Sequence, residues 1–299
     1  MNIQDSMYTS NQFINKSISF IIILLKGIGQ IMLQENAITG LLFLIGITLG
    51  SPKMGLAALV ATLCGTLTAI VGKYNQADIK KGLYGFNAAL VGVASMLFLK
   101  PVLTSWLMLI VGAILTSLLY RFSIKIKIKV FTLPFVIITW IILLISIAYF
   151  NQIMIESSTT AHLSKGYFSF AFKGFGQVIF QEHLLAGILF FIAVFISSPL
   201  SALYGIAAAI ASATIASYCS ASTHDVLNGL FSFNAVLCAI VLAGNQIQDG
   251  IWIAIAIALA LAVQFALLHF SIPPLTFPFV AATLLILFMK SKLLSRVKN

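Results

Sequence analysis

The sequence predicts an all-α polytopic membrane protein of about ten transmembrane helices plus two short glycine-broken segments, arranged as two inverted repeats. Three observations carry that prediction: the composition, a duplication at constant offset, and the placement of the basic residues. Of 299 residues, 61% are hydrophobic and only 8% charged. A soluble domain has roughly 25% charged residues to cover its surface, so this composition does not suit one. At roughly 20 residues per span, the apolar share supports roughly nine or ten crossings, which excludes a one-pass anchor. A transmembrane β-barrel is excluded because segments such as 251–268 are apolar on every face instead of alternating.

The duplication is direct. Residues 26–90 match residues 173–237 at an offset of 147: Lys26, Gly27, Gly29 and Gln30 meet Lys173, Gly174, Gly176 and Gln177. Gln34 and Glu35 meet Gln181 and Glu182, and Ser51-Pro52 meets Ser198-Pro199. Gly82, Leu83, Phe86, Asn87, Ala88 and Leu90 meet Gly229, Leu230, Phe233, Asn234, Ala235 and Leu237. A third block, Thr132-Leu133-Pro134-Phe135, meets Thr276-Phe277-Pro278-Phe279 at an offset of 144, so three residues are lost somewhere between these blocks.

Hydropathy breaks divide each half into one short glycine-interrupted segment and five apolar stretches. They are 17–34, 37–50, 54–72, 83–99, 102–120 and 130–150 in the first half, then 167–181, 184–197, 200–218, 230–243, 251–270 and 275–290 in the second. Five crossings is an odd number, so the second copy enters the membrane from the opposite face and the repeats are inverted. The chain therefore reads as a cytoplasmic N-terminal tail (1–16), a first inverted repeat (17–150), an extracytoplasmic connector (151–166), a second inverted repeat (167–290) and a basic cytoplasmic tail (291–299).

The net charge of +10 would suit a nucleic-acid partner, but the positions of the basic residues do not. With both termini cytoplasmic, twelve of the 17 Lys and Arg fall inside: Lys16, the 73–81 loop, the 121–129 loop and the tail. Lys53, Lys100 and Lys165 fall outside, and Lys26 and Lys173 lie within the short segments. That bias is the positive-inside pattern of a multi-pass protein whose partner is the lipid bilayer. The alternating run Ile124 to Lys129 is compatible with a strand or an amphipathic surface segment, and reads first as a topology-setting loop. Cys64, Cys219 and Cys238 have no paired spacing and read as structural thiols. No positive leader with a small-residue cleavage site is evident, so no removable signal peptide is expected.

Glycine-broken segments at equivalent places point to a solute site near the midplane, where irregular backbone lines a cavity. An unpaired amide in a membrane costs several kcal/mol, so Gln30 and Gln177, one in each segment, read as part of a polar lining. Glu35 and Glu182 read as helix-end residues, Asn87 and Asn234 as braces for broken backbone, and His183 and His269 as structural histidines. No Gly-x-Ser-x-Gly, His-Glu-x-x-His or Cys-x-x-Cys occurs, so neither catalysis nor a cofactor is expected.

Together these motifs carry a resemblance. Gly-x-Gly-Gln-Ile/Val-x-Leu/Phe-Gln, Gly-Leu-x-x-Phe-Asn-x-x-Leu and Thr-x-Pro-Phe each occur twice in order, and Ile272 to Phe279 is similar to the signature Leu-Pro-x-x-Thr-x-Pro-Phe. From about residue 20 to 290 the chain resembles the urea transporter family. The resemblance implies a homotrimeric, channel-like transporter with a urea pore in each protomer, and short segments folded as tilted re-entrant helices. It implies that Gln30 and Gln177 stand in a ladder of oxygen acceptors along the pore. Leu33 with Phe86 and Leu90, and Phe180 with Phe233 and Leu237, would form two flat slots. Thr132 and Thr276 would meet at the central constriction beside Ile31 and Val178.

The implied lining suits the solute's chemistry. Urea is planar and neutral with N–H donors along its edges, so flat apolar walls reject bulk while acceptors replace water. Stripping an amide of water in hydrocarbon costs about 4–8 kcal/mol without such acceptors. Ions face a nominal cost of order 20 kcal/mol, with no formal charge in the slot to offset it. Three departures from the family pattern bear on selectivity. Leu33 stands where an aromatic is expected, Gln177 stands where some relatives carry an acid, and Lys129 stands where the second half has Pro273. Passive urea permeation is the reading. The alternatives are an ion-coupled carrier of another small polar amide, an ammonia channel and a membrane-embedded enzyme. The scarcity of arginine, only Arg121 and Arg296, fits an AT-rich bacterial genome and hence a bacterial inner membrane.

Overall fold

The computed structural model describes residues 3–155 and 169–297, with side chains described from residue 15 to 293. Among these residues it is all-helical, apart from one isolated antiparallel bridge between Leu99 and Met154. The first half holds α1 (Ile3–Gly29), a 3-10 turn (Gln30–Met32), α2 (Ala37–Gly50), α3 (Pro52–Val71), α4 (Gln76–Lys80), α5 (Phe86–Phe98), α6 (Leu103–Lys125) and α7 (Leu133–Tyr149). After a 3-10 turn (Asn151–Ile153), the second half holds α8 (Ser169–Gln177), α9 (Leu184–Ser197), α10 (Pro199–Tyr218), α11 (Thr223–Leu227), α12 (Phe233–Leu242), α13 (Ile247–His269) and α14 (Phe277–Val297). Most of the connector expected at 151–166, with Lys165 and Tyr167, lies outside the described residues.

Length sorts these helices. The stretch 15–32 and helices α3, α6, α10 and α13 are long and apolar enough to cross a membrane. Helices α2, α5, α7, α9 and α12 are apolar but shorter: α2 and α9 have 14 residues, about 21 Å at 1.5 Å per residue against a hydrocarbon core of about 30 Å. The interior helices, α2 to α6 against α9 to α13, match in length one for one, with a single exception. α5 has 13 residues and α12 has 10, so the three missing residues lie at the end of that helix.

Chain breaks repeat as faithfully as helices. Among the described residues every positive-φ position has a partner in the other half: Leu33 with Phe180, Lys73 with Ser220 and Gly82 with Gly229 at the 147 offset, Lys127 with Ser271 and Phe131 with Leu275 at the 144 offset. Left-handed residues end helices by turning the next amides back onto orphan carbonyls. Lys127 N–H donates to the Ile124 carbonyl (3.1 Å) and Ile128 N–H to that of Ser123 (3.0 Å). This stop limits the alternating 124–129 run to a helix end and a turn; it forms no strand. At Gly82 (φ 76°) and Gly229 (φ 78°) the left-handed backbone presses on the amide nitrogens of Gly27 and Gly174, where a Cβ would collide.

Several expected boundaries shift: α6 runs on to Lys125, α13 begins at Ile247, and α14 continues to Val297, through most of the expected tail. The first short segment is not confined to 17–34: its helix runs from Ile3, then tightens into the Gln30–Met32 turn. The stretch expected at 83–99 opens with turns over 81–85 before α5 begins at Phe86. The halves meet where α2 crosses α9. There the Phe43 and Phe190 rings lie 5.1 Å apart and Thr39 Oγ1 donates to the Ala193 carbonyl (2.8 Å). They meet again near α7, where Trp140 Nε1 donates to the Pro273 carbonyl (2.9 Å).

Candidate permeation site

The ends of the two short segments build two matching vestibules. In the first half, Leu33 N–H donates to the Gln30 carbonyl (3.0 Å) and Gln34 N–H to that of Gly29 (3.1 Å). In the second half, Phe180 N–H donates to the Gln177 carbonyl (3.1 Å) and Gln181 N–H to that of Gly176 (3.0 Å). Each tight turn throws its Leu33 or Phe180 side chain forward from the end of the helix.

The glutamines are fixed in the same way. Gln30 Nε2 donates to the Lys81 carbonyl and Gln177 Nε2 to the Asn228 carbonyl, both at 3.1 Å. With the amide nitrogen tied to backbone, the Oε1 acceptor is the end left for a passing solute. Asn87 and Asn234 brace the broken backbone, as expected from sequence. Asn87 Nδ2 donates to the Phe131 carbonyl (3.3 Å) while its Oδ1 accepts from Phe135 N–H (3.1 Å). Asn234 repeats both bonds with Leu275 (3.3 Å) and Phe279 (3.1 Å).

A vestibule of about 360 Å³ is lined by Gln30, Ile31, Leu33, Phe86 and Thr132 of the sequence-derived set. A second of about 270 Å³ is lined by Gln177, Phe180 and Phe233. Between them stands one buried contact: Thr132 Oγ1 and Thr276 Oγ1 share a hydrogen bond of 2.6 Å. Thr132 borders the first vestibule, and Leu275, next to Thr276, borders the second. Leu90, Leu237, Val178 and Thr276 are buried and line neither vestibule. They pack behind it or at the contact between the two.

The structure adds lining residues that the sequence reading did not name. Leu83 and Leu230 belong to the repeated Gly-Leu-x-x-Phe-Asn block, so the repeat already marked them. Tyr120 and Gln264 stand at the 144 offset, as do Phe131 and Leu275. Because the paired residues differ in kind, the self-match of the sequence did not mark these four.

The charges around the two vestibules differ. Lys127 and Lys129 border the first, while Glu182 and Asp225 border the second. Lys26 pairs with Glu35 at 3.1 Å, a partly exposed ion pair at a helix end. Its counterpart Lys173 is buried, and its Nζ donates to Asn228 Oδ1 at 2.8 Å instead of to Glu182. No cluster of three or more metal-ligating side chains occurs among the described residues.

Residues 21–291 match the family model described as urea transporter. The chain belongs to the urea transporter family. Among its relatives, Urea transporter 1 of Ovis aries is 29% identical over 304 residues, covering 93% of this chain and 79% of that protein. Urea transporter 1 of Mus musculus is 28% identical over 298 residues, covering 90% and 77%. Family membership makes the chain a multi-pass membrane protein, in keeping with its long apolar helices. The two vestibules and the threonine contact between them are thus features of a transport protein.

Proposed function

We propose that each copy of this chain passes urea down its gradient through one pore, running from the first vestibule past Thr132 and Thr276 to the second. The observation that carries the reading is the family match over 21–291, joined to two vestibules that share equivalent lining positions, Gln30 with Gln177, Leu33 with Phe180 and Phe86 with Phe233 among them. Urea enters edge-on between Leu33 and Phe86, hydrogen-bonds Gln30 Oε1, meets the threonine pair, and leaves between Phe180 and Phe233 past Gln177 Oε1. At the pair, the hydroxyls give up their mutual bond to serve the solute. Leu90 and Leu237 back the slots, and Ile31 and Val178 shape the constriction. Binding must stay weak for conduction, and a site of about 1 mM corresponds to roughly −4 kcal/mol.

The two halves are inverted repeats related by an axis in the membrane plane, and the short segments ending at Gln30 and Gln177 are tilted and re-entrant. The matching lengths of the interior helices and the αL stops support the duplication, and the five crossings per half expected from hydropathy support the inversion. With the lysines at 73–81 and 121–129 inside, the first vestibule opens to the cytoplasm and the second to the outside. Both termini are cytoplasmic, the membrane is a bacterial plasma membrane, and the assembly is a homotrimer with a pore in each protomer.

Radiolabelled urea uptake into proteoliposomes, with and without proton and sodium gradients, tests the reading. Uptake should stop at equilibrium and ignore both gradients. Accumulation above equilibrium would make the chain an ion-coupled carrier instead.

A further inference from the structure

We infer that the first vestibule recovers from Phe131 the aromatic wall missing at Leu33, an exchange of ring and leucine that gives each vestibule one ring and one leucine at this pair of positions. The inference rests on the proposed urea pathway. Four residues in two equivalent pairs carry it. Leu33 corresponds to Phe180, and Phe131 corresponds to Leu275; all four stand at positive φ, between 47° and 59°. The first vestibule is lined by Leu33 and Phe131, and the second by Phe180 and Leu275.

The seats of the two rings are also related. Phe135 and Phe279, the last residues of the two Thr-x-Pro-Phe blocks, are fully buried equivalents. Phe180 packs on Phe135, with centroids 6.2 Å apart and planes at 61°. Under strict equivalence position 33 would supply the ring packed on Phe279. Position 33 is leucine, and the ring on Phe279 is that of Phe131, 5.4 Å away at 58°. Each buried phenylalanine thus keeps one aromatic neighbour at its vestibule, from the turn after Gln177 in one case and from the residue before Thr132 in the other. Edge and tilted aromatic packing holds such a ring in a defined plane, which a leucine cannot do. A flat solute is selected by flat walls, so Phe131 is a specificity-determining residue of the first vestibule.

The equivalence also says which variants fold. Position 275 already holds leucine at φ 47°, the value found at Phe131, and position 180 holds phenylalanine at φ 58°, close to the 59° of Leu33. Phe131→Leu and Leu33→Phe therefore ask nothing of the backbone that its other half does not accept.

The test measures urea and thiourea flux into proteoliposomes for the wild type, F131L, L33F, L33F/F131L and F131Y, with detergent melting curves as a fold control. F131L should lower the ratio of urea to thiourea flux by about fivefold, the scale of one lost aromatic contact. L33F alone should slow urea by crowding two rings into one vestibule. L33F/F131L should return the ratio to near the wild-type value, and F131Y should keep it. A wild type that passes no urea overturns the proposed function and this exchange with it. A wild type that passes urea while F131L keeps the wild-type ratio, or while L33F/F131L does no better than F131L, overturns the exchange alone.

Discussion

In the first half, α2, α3 and α4 begin on Asn36, Ser51 and Asn75. The side chain of each accepts from backbone amides one or two residues into its helix, Asn36 Oδ1 from Ile38 N–H (2.8 Å) and Thr39 N–H (3.3 Å). At the same three places the second half has His183, Ser198 and Ser222, and none of them caps its helix with a side-chain bond. Ser198 turns its hydroxyl to Ser201 instead (2.8 Å). The ion pair Lys26–Glu35 likewise has no copy, because Lys173 goes to Asn228. What both halves keep is different in kind: the αL stops, the Gln-to-carbonyl ties and the asparagine braces. The comparison teaches that the elements shaping the vestibules are duplicated strictly, whereas helix ends are secured by whatever local means each half has.

The largest expected effect tests the duplicated part. Gly82→Ala and Gly229→Ala should each cost about 3 kcal/mol, from αL strain plus collision with the backbone of the short segment. Chemical denaturation in detergent checks this, and a clearly smaller loss at either glycine would break the equivalence of the halves. Next come the two lysine anchors. Asn228→Ala strands a buried ammonium and should cost about 2–3 kcal/mol. Glu35→Ala should cost under about 1 kcal/mol, because Lys26 is 27% and Glu35 44% exposed. Equal losses in the two variants would show that the asymmetry of the anchors has no energetic content.

Thr132→Val and Thr276→Val should each cost about 1–2 kcal/mol and slow urea flux, because one hydroxyl is left buried without its mate. The double variant should lose little more stability than either single one, since no partner remains to be stranded. The smallest effect separates the caps: Asn36→Ala should cost roughly 1 kcal/mol, and His183→Ala a few tenths at most. Comparable losses at the two positions would remove that distinction.

Much of this was legible in the chain itself. The self-match placed Gln30, Gln177, Phe86 and Phe233 at equivalent positions, and each lines its own vestibule. Asn87 and Asn234 read as braces because an amide beside a glycine break has carbonyls and amides to satisfy, and the structure gives them those bonds. That Leu90, Leu237 and Val178 are buried and line neither vestibule was not legible, because a repeat shows equivalence and not which face of a helix meets a cavity. Phe131 was hidden for another reason. Its counterpart is a leucine, so the self-match is silent there, and its importance follows from a tertiary contact with Phe279 across the two halves. Nor did hydropathy show α1 running from Ile3, because its first turns are polar and carry no apolar signal.

The central claim is that the two vestibules belong to one urea route through the protomer. In a background without Cys64, Cys219 and Cys238, stopped-flow urea efflux can be timed for Gln30→Cys before and after complete reaction with a bulky thiol reagent. The account predicts that the reacted protein stops conducting and recovers when the adduct is reduced. Undiminished efflux through fully reacted protein would contradict it.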